Sequence, residues 1–306
     1  MGMNVFAPRK FPDPALVDFG LDRTGHGRRL EHLGGVLVDR PLPATRAVQR
    51  QPDLWPAATV VFQGSSSGRG AWKIRHAVPE PWTVDLQLCC GMLRLAVRPA
   101  PSGQIGLFLE QLPQWRWLGA AAAAGSRVLS LFAHSAAATL ALAAAGSEVV
   151  HVDSSRQSLQ LARENAAASG LAASPIRWVC EDARRFVDRE LRRGNRYDGV
   201  VLDPPSWGHG PKGEAFSIDR HLEALLVQCG ELLAADACGP VLLSAHSPSW
   251  PTERLRATLS AALAPTSLAE AAIASGELTC PDLTGRPLPL GGFARAGGLP
   301  QTGVAP

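Results

Sequence analysis

The sequence predicts an α/β protein, a doubly wound, mostly parallel sheet with a small N-terminal β region. Three observations lead there. From Gly125 onward, short apolar runs alternate with helical patterns, and parallel neighbours need such crossover helices. Three successive runs of that half lead into acids, Asp153, Asp182 and Asp203. Residues 197–207, YDGVVLDPPSW, drive a buried-strand pattern into an acid and two prolines, which neither donate to a sheet ladder nor continue a helix.

Composition bounds the rest. With 306 residues, 46% of them hydrophobic, the chain can bury one large core or two smaller ones. No uncharged apolar run has the length of a membrane span, and the first residues lack the apolar core of a signal peptide, so a cytoplasmic protein is expected. Six cysteines lie scattered without ligand spacing, which predicts neither a metal site nor a disulfide framework. The formal charge is only +3, and only Lys10, Lys73 and Lys212 among the 30 basic residues are lysines. Arginine pairs well with phosphate, but biased coding would produce the same excess, so charge alone does not establish a nucleic-acid partner.

In chain order, strands are expected at 28–33, 35–38, 60–62, 72–75, 83–88 and 92–97, mainly antiparallel, with QGSSSGRG at 63–70 a loop. Trp72 and Trp82 would support this region. PAPSG at 99–103 sets the boundary between an N-terminal β region, 1–100, and a second domain, 101–306. A short helix follows at 111–118, and the alanine run 120–124 reads as its end or a connector.

The second domain reads as strand 128–132, helix 139–145 ended by Gly146, strand 148–152, and helix 156–168 capped by Ser154 or Ser155 with Gly170 past its end. Strand 175–180, helix 184–193, strand 199–202, helix 220–233, strand 241–245 and helix 253–264 continue the alternation. The tail, 274–295, reads as a closing hairpin turning at Thr284 and Gly285.

The carboxyl ends of parallel strands are where such sheets bind ligands. Asp153 stands about 20 residues beyond the first strand, where a doubly wound fold places a ribose ligand. Asp182 could accept from an adenine amine, although an acid in that place also caps helices. Asp203, Pro204 and Trp207 suit a planar nitrogen heterocycle, the acid or a freed carbonyl accepting from an amine and the ring stacking. The loop after the first strand, AHSAAA at 133–138, has no glycine, and none occurs between Gly125 and Gly146. No GxGxxG fingerprint is present and GHGPKG at 208–213 lacks P-loop spacing, which weighs against NAD and ATP.

Several segments resemble the class I S-adenosylmethionine-dependent methyltransferases, in particular the bacterial family related to the large-subunit ribosomal RNA cytosine-carbon-5 and guanine-N7 enzymes. They are GQIGLFLEQ at 103–111, VLSLFAHSAAATL at 128–140, VVHVDSSRQSLQLARENAAASGL at 149–171, WVCEDARRF at 178–186, YDGVVLDPPSWGHGPKG at 197–213 and GELTCPDLTGRPLPLGGFAR at 276–295. The resemblance implies S-adenosylmethionine as cofactor, no metal, and RNA, most of all ribosomal RNA, as partner. It implies Asp153 on the ribose, Asp182 on the adenine, the loop of Phe132, Ser135 and Ala136 under the methionine, and Gln111 at the methionine carboxylate. Asp203, Pro204 and Trp207 would face the methyl acceptor.

Two departures from the family pattern set further expectations. Where the family writes FAYTGG this chain has FAHSAA, so Ala136 and Ala137 replace two glycines where backbone should meet cofactor, and restoring glycine should tighten binding. Carbon-5 methylation of cytosine needs a thiolate, and where those relatives carry cysteine after the fifth strand this chain has Ser244, Ala245 and His246. An amine acceptor is therefore favoured. His246 is either a strand-end structural residue or a proton acceptor of near-neutral pKa; Lys212 and Arg220 either reach phosphates or are solvated. Two other readings remain open: a methyltransferase fold that binds RNA or protein without efficient catalysis, and a nucleotide-dependent oxidoreductase.

Overall fold

The computed structural model describes residues 11–43, 45–64, 70–209 and 215–298. Lys212 and most of the loop expected at 63–70 lie outside these residues. The chain clusters into two compact units. The first runs to Asp85 and takes in Ala96–Leu109 and Cys280–Leu288; the second holds Leu86–Leu95, Glu110–Thr279 and the chain from Pro289. This partition is finer than a single cut at residue 100, because two hairpins each pass from one unit to the other.

The first unit contains β1 (Ala15–Leu21), β2 (Gly27–Leu33), β3 (Val36–Pro41), β4 (Val60–Gln63) and β5 (Ala71–Ile74), hydrogen-bonded in that order. Only the β3–β4 pair is parallel. Strand β1 was not foreseen, because Asp18 interrupts its apolar pattern beside a register shift between Leu16 and Asp18. Asp18 is fully buried and satisfied there, accepting from Arg50 N, Gln51 N, Trp55 Nε1 and the Arg286 guanidinium at 2.9–3.1 Å. The indoles of Trp72 and Trp82 donate to the Ala100 and Leu33 carbonyls at 2.7 and 2.8 Å, in the supporting role expected of them. A two-stranded hairpin, β6 (Thr83–Leu88) and β7 (Gly91–Ala96), follows.

The second unit runs α1 (Leu112–Ala121), β8 (Arg127–Leu131), α2 (Ala137–Ala144), β9 (Glu148–Asp153), α3 (Arg156–Ala168), β10 (Ile176–Cys180), α4 (Ala183–Arg192) and β11 (Gly199–Leu202). It continues with β12 (Trp207–His209), β13 (Ala215–Ser217), α5 (Ile218–Glu231), β14 (Val241–Ala245), α6 (Thr252–Leu263), β15 (Ala274–Pro281) and β16 (Pro287–Ala296). The seven-stranded sheet has the order β10-β9-β8-β11-β14-β16-β15. Its first five strands are parallel, and β16 joins β14 antiparallel. All four residues of β11 are buried, as a strand covered on both faces must be. Ser155 caps α3 by accepting from Ser158 N at 3.1 Å, and Gly170 takes φ 72° just past its end, both as expected. The small β12–β13 pair was not foreseen; its three-residue strands are too short to show a period. Strand order reverses between β8 and β11, the switch point at which ligands bind outside the carboxyl ends. Among the described residues no helix is long and apolar enough to cross a membrane.

Candidate active site

At the switch point, β11 delivers Asp203 and the two prolines. Pro204 is buried and Pro205 exposed. The Asp203 carboxylate is held from two directions: Ser244 Oγ donates to Oδ1 at 2.7 Å, and Gln111 Nε2 donates to Oδ2 at 3.1 Å. Gln111 Nε2 also donates to Ser244 Oγ at 2.9 Å, so the serine accepts from the amide while donating to the acid. His246 Nε2 stands 3.6 Å from Asp203 Oδ1, an ion-pair distance. Its Nδ1 donates to the Leu290 carbonyl at 2.7 Å. Strand β16 comes this close through Gly291, whose φ is 148° and whose added Cβ would lie 2.2 Å from the Ala245 carbonyl. Glu110, buried, places Oε1 3.9 Å from His246 Nδ1.

The electrostatics follow from this arrangement. Burial opposes a charge on His246, but the contact with Asp203, the charges of Asp203 and Glu110 and the Leu290 carbonyl outweigh it and raise the imidazole to about 9. Burial likewise opposes ionisation of Asp203, and His246, Ser244 and His134 overcome it, holding the carboxyl below its ordinary range. His246 is therefore charged at neutral pH. Its two acidic neighbours thus disfavour the expected proton acceptor of near-neutral pKa.

The side expected to take a cofactor is built by the loop after β8 and the ends of β9 and β10. Asp153 is half-buried; its Oδ2 accepts from His134 N at 2.9 Å and its Oδ1 from Ser155 N at 2.8 Å. Each oxygen keeps a further lone pair, so the acid can still receive two hydroxyls. Within the loop, Phe132, His134 and Ala136 take φ of 54°, 44° and 72°. Three non-glycine residues in the left-handed region within five positions are sustained only where surrounding structure over-determines them. The Ser135 carbonyl accepts from Asn165 Nδ2 at 2.8 Å, one such restraint. Ala136 and Ala137 are 0% and 5% exposed. Both methyl groups are thus buried in the core, while at Ala136 the backbone keeps the form that glycine normally supplies. The loop thus keeps, without glycine, a backbone whose N–H groups could approach a cofactor.

Asp182 has a more local occupation. Its carboxylate caps α4 through Arg184 N and Arg185 N and pairs with the Arg184 guanidinium at 3.1 Å. Much of the acceptor capacity assigned to adenine is taken up there. Phe132 packs its ring 5.0 Å from Phe216 of β13. Trp207 opens β12 and is 59% exposed, and Arg220 lies exposed in the first turn of α5. Sequence reasoning missed Glu110 and Ser244 as members of the Asp203 cluster. Their signal was weak: an acid before a helix, and a small polar residue near the end of an apolar strand.

A seven-stranded, doubly wound sheet with acids ending β9 and β11 about its switch point defines a class I methyltransferase fold. Residues 80–251 match the family described as S-adenosylmethionine-dependent methyltransferase, and the chain belongs to it. It is similar to the ribosomal RNA large subunit methyltransferase I of Aeromonas hydrophila, 30% identical over 155 residues, which are 50% of this chain and 38% of that protein. It is also similar to the methyltransferase K/L of Aeromonas salmonicida, 32% identical over 133 residues, 43% of this chain and 18% of that protein. The chain thus spans well under half the length of both curated relatives. The crystal structure of the S-adenosylmethionine-dependent methyltransferase from Agrobacterium tumefaciens superposes with a TM-score of 0.82 at 33% identity, covering 94% of this chain and 91% of that one.

Proposed function

We propose that this protein methylates a ring or exocyclic nitrogen of a base in ribosomal RNA, acting in the cytoplasm. The observation that carries the reading is the Asp203 carboxylate at the end of β11, ionised and oriented by Gln111, Ser244 and His246. S-Adenosylmethionine supplies, when bound, an electrophilic methyl on a sulfonium. Asp153 and the loop from Phe132 to Ala136 hold the cofactor, the acid taking the ribose hydroxyls. Asp203 and the Pro204 carbonyl accept from the N–H of the incoming base and align its lone pair for in-line displacement, and Trp207 stacks on its face. Alignment is the main demand on the protein, because the acceptor nitrogen is already nucleophilic; a proton shed by that nitrogen on methylation passes to Asp203 and on to solvent. Serine and histidine, in place of cysteine, at the end of β14 support nitrogen over carbon-5. The ribosomal names of the relatives support the RNA class.

The test is transfer of tritiated methyl from S-adenosylmethionine to ribosomal RNA purified from a strain lacking the gene. Label should enter that RNA, should not enter RNA from the parent strain, and should be absent with Asp203→Ala. Equal labelling of both RNAs would refute a ribosomal target.

A further inference from the structure

Methyl transfer as described gives no task to Glu110. The residue is 3% exposed, and its Oε2 has no hydrogen-bond partner among the described residues. Oε1 faces His246 Nδ1 at 3.9 Å. On the other side of the ring, His246 Nε2 faces Asp203 Oδ1 at 3.6 Å. One imidazole thus stands between two carboxylates, the first from the segment before α1 and the second from the end of β11.

The remaining neighbours decide its protonation. From the Glu110 segment, Gln111 brings its amide nitrogen to 3.5 Å from His246 Nε2, but its two hydrogens go to Asp203 and Ser244, so it offers that ring nitrogen no donor; from β14 comes Ser244, and from β16 the Leu290 carbonyl, which only accepts. His134, after β8, is the further titratable group acting on Asp203. The Leu290 bond fixes a proton on Nδ1. A neutral ring would then turn the lone pair of Nε2 toward the Asp203 carboxylate, a repulsive contact at this range, whereas an imidazolium turns an N–H toward it. Glu110, buried against the same ring, favours the charged form by its own charge, since a carboxylate held away from water needs a counter-charge.

We propose that Glu110 and His246 are positioning residues: Glu110 holds His246 as an imidazolium, and that cation holds Asp203 ionised and turned toward the methyl acceptor. The part concerning the acceptor rests on the proposed role of Asp203; the Glu110–His246–Asp203 arrangement stands on geometry alone. His246, raised to about 9, keeps its proton through the neutral range and loses it only in mild alkali. Turnover then falls as pH rises through that range, when a neutral ring releases the carboxylate.

The experiment has one arm that needs no RNA. Imidazole Cε1–H signals of the full-length protein, saturated with S-adenosylhomocysteine, are titrated by NMR; the chain has eight histidines, and His246 is assigned by its loss in His246→Gln. The signal should titrate near pH 9 in the wild type, and Glu110→Gln should lower its midpoint by about one unit, a tenfold change in proton affinity. Glu110→Asp, keeping the charge, should restore most of the shift and guards against a folding defect in the amide variant. A wild-type midpoint near 6.5, or one unmoved in Glu110→Gln, overturns the arrangement. In the second arm, methyl transfer to ribosomal RNA from the deletion strain is followed against pH. The alkaline limb of kcat should move to lower pH in Glu110→Gln and vanish in His246→Gln, whose rate is low throughout. A limb that stays in place in both variants overturns the positioning role, even with the titration as expected. Absence of label in the wild-type enzyme faults the RNA assignment instead and leaves the titration to decide the triad.

Discussion

Replacing Ala136 and Ala137 by glycine, one at a time, isolates the strain held in the cofactor loop. The two positions are adjacent, both are buried, and the chemistry removed is the same methyl group. Loss of that buried methyl destabilises by about 0.8 kcal/mol at either site. The freer unfolded chain contributes a further ~0.4–1 kcal/mol at either site. The sites differ in backbone: Ala136 sits at φ 72°, ψ 13°, whereas Ala137 is the first residue of α2. A left-handed alanine lies roughly 1–2 kcal/mol above a right-handed one, and glycine at 136 recovers that difference. Ala136→Gly should therefore be within about 1 kcal/mol of neutral, and Ala137→Gly should destabilise by ~1.2–1.8 kcal/mol. Urea unfolding of the two variants measures the gap, which the strain alone sets. Equal destabilisation would refute it and show that the loop relaxes out of the left-handed region. Because both methyls face the core, S-adenosylhomocysteine affinity by calorimetry should change less than about threefold in Ala136→Gly, against the tightening that the missing glycines suggest on sequence grounds.

Asp153→Ala should weaken S-adenosylhomocysteine binding by about tenfold or more in the same calorimetric assay with the fold intact, if the proposed charge-assisted contact to the ribose is made; unchanged affinity would leave Asp153 only its backbone contacts to His134 and Ser155. Trp207→Ala should raise the KM for RNA with little change in cofactor affinity, stacking being worth about 1–3 kcal/mol per base; an unchanged KM would remove Trp207 from the substrate. Stability should also depend on His246: its folded pKa is raised to about 9 from 6.5, so its contribution is fully present below 6.5 and lost as pH rises through 9. Denaturation midpoints followed from pH 6 to 10 should show that decline, and His246→Gln should flatten it. Replacing all six cysteines by serine or alanine should leave transfer intact in a protein that folds; loss from one cysteine in a folded variant would contradict nitrogen chemistry.

Much of the second unit was legible because local signals there agree with the tertiary result. The apolar run of β11 sits between Gly199 and the Asp203-Pro204-Pro205 stop, and Ser155 and Gly170 mark the ends of α3. Strand β1 escaped because its buried acid, Asp18, is explained only by partners far along the chain, Arg50 and Arg286 among them. The Asp203 site was half legible for the same reason. The acid and its prolines announce themselves in one segment, but Glu110, Ser244 and His246 arrive from separate elements, and no local pattern says that two carboxylates flank one imidazole. The loop conformation was hidden by composition, because alanine carries no signal for the left-handed backbone that Ala136 adopts.

In the proposed reaction Asp203 presents a nitrogen of an RNA base to the cofactor's methyl. Ribosomal RNA from the deletion strain, methylated by the pure enzyme with deuterated-methyl S-adenosylmethionine and digested to nucleosides, identifies the product by mass spectrometry. The heavy methyl is expected on a nitrogen of a single nucleoside type, with none when Asp203→Ala replaces the wild type; heavy 5-methylcytidine, or an enzyme–RNA adduct trapped by a fluorinated pyrimidine, would contradict this role of Asp203.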